Sequence, residues 1–171
     1  MAKSVGSLRV VSNSKKVIPS IDTSQPISQQ INDLINAALS GSPNRTTEIE
    51  IASVEKRIQD FAAANGIDIA GDKIILTRDA VGHTLRQEKQ KDGIAITQEE
   101  LATFPQRMSS MAVYYDNSKR NFIYFDGNAK YIIEPNKTKG KGKKKKTGVF
   151  YITASRANIS HFQGSRFIEI K

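Results

Sequence analysis

The period of apolar and polar positions changes along this chain, and each change marks an element. Ile27, Ile31, Leu34, Ile35 and Ala38 recur at three- and four-residue spacing, which puts them on one stripe of a helix. Ser24 is the candidate cap, Pro26 suits the first turn, and Ser40-Gly41 supplies the stop. That stripe needs a partner, either the body of the protein or another chain. After SGSPN, Glu48 to Ile51 alternates as a short strand does, and a second helix through Val54, Ile58, Phe61 and Ala62 stops at Asn65-Gly66. Lys73 to Leu76 (KIIL) is a strand-like run. Thr77 then caps a helix over RDAVGHTLRQEKQ with Val81 and Leu85 inward. Thr97, with Glu99 and Glu100, opens a further short helix carrying Leu101 and Phe104, and Pro105 closes it.

From Ala112 onward the period becomes that of strands. Val113 to Tyr115, Phe122 to Phe125 and Lys130 to Ile133 predict an antiparallel meander, joined by DNSKRN and by Asp126-Gly127, a strong hairpin signal. Gly148 to Ala154 (GVFYITA) returns as a strand, and Arg166 to Ile170 predicts a last edge strand. Helices ahead of such a meander predict an α+β fold, N-terminal helices followed by a curved antiparallel β-sheet. The first two dozen residues, with Pro19 and Pro26, show no helical period and predict an extended arm.

Composition narrows the chemistry. The 171 residues contain no cysteine, which excludes a disulfide framework, a thiolate metal site and a cysteine nucleophile. No apolar run approaches the ~18 residues a membrane span requires, and MAKSVGSLRVV lacks the apolar stretch of a signal peptide. A soluble, unprocessed protein of the cytoplasm is therefore expected, with no membrane partner. Charge is unevenly divided. Residues 1–71 carry seven basic and seven acidic residues, whereas residues 72–171 carry nineteen against ten, the whole of the net +9. The expected organisation is a neutral extended arm and helical segment over 1–71 and a basic α+β domain over 72–171.

Within the basic half, Lys137, Lys139, Lys141, Lys143, Lys144, Lys145 and Lys146 follow one another with no acid between them, interleaved with Gly140 and Gly142. Such a segment reads as a mobile cationic loop that exchanges counterions at a phosphate backbone, giving salt-sensitive, largely sequence-blind binding of RNA or other nucleic acid. A solvated loop that only keeps the chain soluble is the alternative.

Candidate catalysts are few. His83 in AVGHTLRQ has Arg86 three positions on, hence on the same helical face. An imidazole titrating near neutrality can move a proton, and a guanidinium fork can hold a phosphate, which suits phosphodiester chemistry on RNA. Tyr151, Thr153 and Ser155 in FYITASR share one face of a strand by period two and, beside Arg156, suggest a polar surface for phosphate or ribose oxygens. An ordinary solvent-facing strand side is the alternative. His161, in SHFQGS, is a second histidine in a loop. No spacing of the HExxH kind is present, and GKGKKKKTG lacks the GxxxxGK[ST] order of a phosphate-cradling loop, so neither metal nor cofactor is expected.

The succession KIILT, RDAVGHTLRQ, ITQEELATFPQRM, a YY-turn-FIYF-turn-KYII meander and a closing VFYITAS strand resembles the phage MuF C-terminal domains and the Barnase-EndoU-Colicin-RelE-like (BECR) nuclease domains of phages. The resemblance covers about Lys73 to Ala157. It implies a BECR-like α+β fold and a metal-independent endoribonuclease, phage-associated or toxin-like, with His83, Arg86, Thr153 and Ser155 as catalytic candidates. The seven lysines, Tyr151 and Arg156 would then bind nucleic acid. Many relatives carry H-x-x-x-[KR]-H, whereas this chain has Gln87 and Glu88 there, with Arg86 as the substitute. An acidic immunity protein, or a phage head or secretion partner docking through residues 1–71, is the implied protein partner, and the location is bacterial or infected-host cytoplasm, or a virion. Two other readings stay open: a non-catalytic nucleic-acid-binding or virion-packaged protein, and a chain whose N-terminal helices are a docking arm with the basic domain as cargo.

Overall fold

The computed structural model describes residues 20–41 and 46–171. Most of the extended arm lies outside the described residues. In chain order the elements are α1 (Ile27–Ser40), β1 (Glu48–Ser53), α2 (Lys56–Asn65), β2 (Lys73–Thr77), α3 (Arg78–Thr84), α4 (Gln87–Lys91), α5 (Gln98–Ala102), α6 (Phe104–Arg107), β3 (Ala112–Asp116), β4 (Asn121–Phe125), β5 (Ala129–Lys139), β6 (Lys146–Arg156) and β7 (Phe167–Ile170). The fold is mixed α/β, with one seven-stranded, unclosed sheet in the order β1-β2-β6-β5-β4-β3-β7. The sequence predicts an antiparallel sheet, but the sheet is mixed: β2 runs parallel to β6. β2 lies between β1 and β6, antiparallel to the first and parallel to the second, because the chain passes through four helices and three strands before β6 returns beside it.

Local chemistry sets the element ends. Gly41 and Gly66 both stand in the left-handed region (φ 66° and 64°) and stop α1 and α2. Thr77 caps α3 by accepting from the Ala80 amide, and Thr97 with Glu100 forms a complete capping box on α5. Ser24 does not cap α1: its hydroxyl donates to Asp22 (2.7 Å), and Pro26 occupies the cap position without a side-chain bond. Pro105 does not close a helix; it sits at the start of α6, where its missing amide proton is no loss.

The stripe of α1 is covered by its own chain. Ile31, Leu34 and Ile35 are fully buried in one cluster with Ile49 and Ile51 of β1, Val81 of α3, Leu101 of α5 and Phe104, Tyr124, Tyr131 and Tyr151. Each such aliphatic side chain contributes roughly 1.5–3 kcal/mol. β1 also pairs with β2 from Glu48↔Thr77 to Ser53↔Lys73. The division at residues 71/72 is therefore a boundary in charge and not in packing. The opposite sheet face carries a smaller cluster of Tyr114, Ile123, Phe125 and Phe162. Among the described residues no helix is long and apolar enough to cross a membrane.

Candidate nucleic-acid interface and active site

Strand β6 organises the site, and a bulge decides which of its side chains face outward. Its pairing with β5 runs Tyr131↔Ala154, Ile132↔Thr153 and Ile133↔Tyr151, so Ile152 has no partner. One extra residue shifts the parity of a strand. Val149, Tyr151 and Ala154 accordingly enter the helix-side core, while Thr153 and Ser155 turn to the other face, opposite Ile132 and Lys130. The expectation that Tyr151, Thr153 and Ser155 share one face is overturned for Tyr151. It is completely buried, its hydroxyl lies 3.2 Å from that of Thr84, and burial raises its pKa, so it is a core residue and binds no nucleic acid.

The same strand has an open edge that α4 closes. β2 pairs with β6 only at Ile74↔Val149 and Ile75↔Phe150. Beyond that point two backbone groups of β6 need partners. The Arg156 amide donates to the Ile94 carbonyl (2.7 Å), and Lys89 Nζ donates to the Ala154 carbonyl (2.9 Å) and to Thr153 Oγ1 (2.5 Å). Lys89 is only 5% exposed, and its pKa falls to about 8, first through burial and then through the neighbouring charges of Arg86 and Lys130.

The helix read over RDAVGHTLRQEKQ is two helices. Leu85 ends α3, and Arg86 takes an extended conformation (φ −65°, ψ 151°) as the cap of α4. His83 and Arg86 thus do not share a helical face, yet both remain exposed beside Lys89. The pKa of His83 is lowered by partial burial, then by the charges of Lys89 and Arg86. Near pH 7 its imidazole is consequently neutral and able to accept a proton. No carboxylate pairs with Arg86, Lys89 or Lys130 among the described residues, so the group is uniformly cationic.

The lysine segment does not interrupt the sheet. β5 runs on to Lys139 and β6 begins at Lys146, so the lysines form the tip of a long β-hairpin with a short 3-10 turn at Gly142–Lys144. The register of the hairpin shifts between Glu134 and Lys137, and its tip meets the start of β1 and the end of β2. There Lys146 pairs with Glu48 (2.5 Å), Lys139 Nζ approaches Thr77 Oγ1 (3.5 Å), and the Lys139 ammonium sits 5.1 Å from the Phe150 ring centroid. Lys137 is paired with Glu134 (3.5 Å), whereas Lys141, Lys143, Lys144 and Lys145 are exposed and form no ion pair among the described residues. Between this tip and the start of α3 lies an open cleft of about 860 Å³, with His83, Gly82 and Arg78 on one wall and Lys139, Lys144 and Phe150 on the other.

Arg156, expected to bind nucleic acid, is already committed. Its guanidinium is bidentate to Glu100 (2.6 and 2.7 Å), which ties the end of β6 to α5 and leaves no free fork for a phosphate. Lys89 and Lys130, by contrast, were not singled out from sequence. In QEKQK and NAKYI each looks like an ordinary solvated lysine, and only the ends of β2 and the register of β5 reveal what they face. Lys130 Nζ lies 3.1 Å from His161 Nε2, next to Ser155 across the strand pair. Compared with family models, with curated proteins and with solved structures, the chain finds no match.

Proposed function

We propose that the protein is a metal-independent endoribonuclease whose site is the outward face of β6 and the cleft beside it. The observation that carries this is an exposed His83 under the charges of Arg86 and Lys89, with Lys89 in turn bonded to Thr153, where His83 lines a cleft edged by lysines. The 2′-hydroxyl attacks the adjacent phosphorus, the bond to the 5′-oxygen breaks, and the products are a 2′,3′-cyclic phosphate and a 5′-hydroxyl. His83, neutral at pH 7, takes the proton of the 2′-hydroxyl, and water supplies the proton for the departing oxygen. Arg86 holds the non-bridging oxygens. Lys89 acts as a positioning residue. Because Thr153 Oγ1 accepts from Lys89, its own hydrogen is free to be donated to the phosphate. Ser155 lies on the same face, and the exposed tip lysines raise the local RNA concentration. The phage or toxin setting rests on the sequence resemblance alone.

One feature favours a second reading, a nucleic-acid-binding protein without catalysis: no hydrogen bond to the His83 ring fixes its tautomer among the described residues. A cleavage assay on total RNA and tRNA in EDTA separates the two. The wild type should generate 2′,3′-cyclic ends, and His83→Ala should lower kcat/KM by about a hundredfold or more. Binding without cleavage by the wild type would leave the binding protein as the correct reading. Full activity of His83→Ala would remove the histidine from the chemistry.

A further inference from the structure

The register of β5 and β6 repeats, one strand period further on, the arrangement found at Thr153. There a hydroxyl on the outward face of β6 is served by Lys89; here Ser155 stands on the same face with Lys130 directly across the pair. Two residues along a strand separate side chains on one face by roughly 6–7 Å. That is comparable to the spacing of neighbouring phosphates on an extended single strand.

Lys130 is half-buried, forms no ion pair among the described residues, and has one side-chain hydrogen-bond partner there, His161 Nε2 at 3.1 Å. An ammonium only donates, so Nε2 must accept and the imidazole proton resides on Nδ1. The ring is held in place by Phe162, edge-on at 5.0 Å, and by Phe167 at 5.4 Å. Arg166 lies close by, but its guanidinium is committed to Asp116 (2.8 and 2.9 Å). A neutral histidine capping a lysine leaves the ammonium its charge and two unused donors. The charges of Asp116 and Arg166 both act on Lys130, but as a mutually paired couple, so the ammonium keeps donors for a further anion.

We infer that Ser155, Lys130 and His161 form a second phosphate subsite, adjoining the Thr153–Lys89 subsite, and that the two together take neighbouring phosphates of one RNA strand. The inference rests on the proposed role of Thr153 and Lys89, but its test measures binding and not cleavage. Adenosine 3′,5′-bisphosphate carries two phosphates on one ribose and has no 3′-ester to cut, whereas adenosine 5′-monophosphate carries one. Calorimetry on the full chain should find the bisphosphate bound about tenfold more tightly, as expected when two linked groups engage together. Lys130→Met should erase that advantage while changing monophosphate affinity by about twofold or less. Equal affinities for the two ligands in the wild type, or an equal loss of both in Lys130→Met, overturns the subsite. Should Lys130→Met fail to fold, the wild type still decides: the His161 imidazole signals must shift on adding the bisphosphate and stay put with the monophosphate. If the RNA cleavage assay fails while the bisphosphate advantage holds, the ribonuclease reading falls and the paired subsites remain.

Discussion

Lys89 shows how one residue serves both the fold and the site. Its ammonium closes the open edge of β6 through the Ala154 carbonyl and fixes the Thr153 hydroxyl, and burial is the main reason its pKa lies near 8. The sign of its pH linkage follows from that depression. Below pH 8 both folded and unfolded chains hold the proton, and the cost of burying the charge is paid in full. Between pH 8 and about 10.5 the unfolded chain binds more protons than the folded one, so stability gained from this group rises with pH. Urea midpoints of wild type and Lys89→Met, compared at pH 7 and pH 10, should therefore diverge in favour of the wild type at the higher pH. Parallel profiles would mean that the ammonium is not desolvated. In the same variant the His83 imidazole should titrate closer to 6.5 by NMR, because one of the charges that lowers its pKa is gone, while its partial burial remains.

At the scale of elements the decisive feature is the Ile152 bulge, which sends Tyr151 inward and Thr153 and Ser155 outward. Tyr151→Phe should leave RNA affinity unchanged and lower stability by about 0.5–1.5 kcal/mol, since Thr84 keeps its bond to the Ala80 carbonyl. A large loss of affinity in that variant would restore the one-face reading. The hairpin tip depends on Gly140, where φ is +92° and an added Cβ would lie 2.4 Å from the Lys144 carbonyl oxygen. Gly140→Ala should accordingly speed amide exchange around Lys141–Lys145 and weaken RNA binding, with exchange in β3 and β4 unaffected. The helix stripes, the Thr77 and Thr97 caps, the meander and the final edge strand were legible in sequence because each rests on local periodicity or local capping. The bulge, the parallel entry of β2, the break at Leu85–Arg86 and the partners of Lys89, Lys130 and Arg156 were not. Except for that helix break, these depend on register and contacts between segments far apart in the chain, and no local pattern encodes them.

For the whole molecule, charge and packing divide the chain differently. Within the neutral half, α1, β1 and α2 send apolar side chains into the same cluster as the basic half, so these three elements are structural. A chain beginning at Asp72 would expose Leu76, Val81 and Leu101 and leave β2 without its antiparallel neighbour. It should show no cooperative unfolding transition, whereas a cooperative one would make the N-terminal elements dispensable. The positive excess is concentrated on the other side of this division, at the hairpin tip and along the outward face of β6. Single-stranded binding loses about 0.7 in the slope of log affinity against log salt for each phosphate contact removed. Replacing Lys141, Lys143, Lys144 and Lys145 with Ser should therefore reduce the slope by up to about 3 if all four meet phosphates. A slope that does not move would place the strand along Thr153 and Ser155 without the tip, and the lysines would then serve solubility, as the alternative reading of their sequence held. A reduced slope with unchanged single-turnover cleavage at saturating RNA would assign the tip to capture and the β6 face to chemistry.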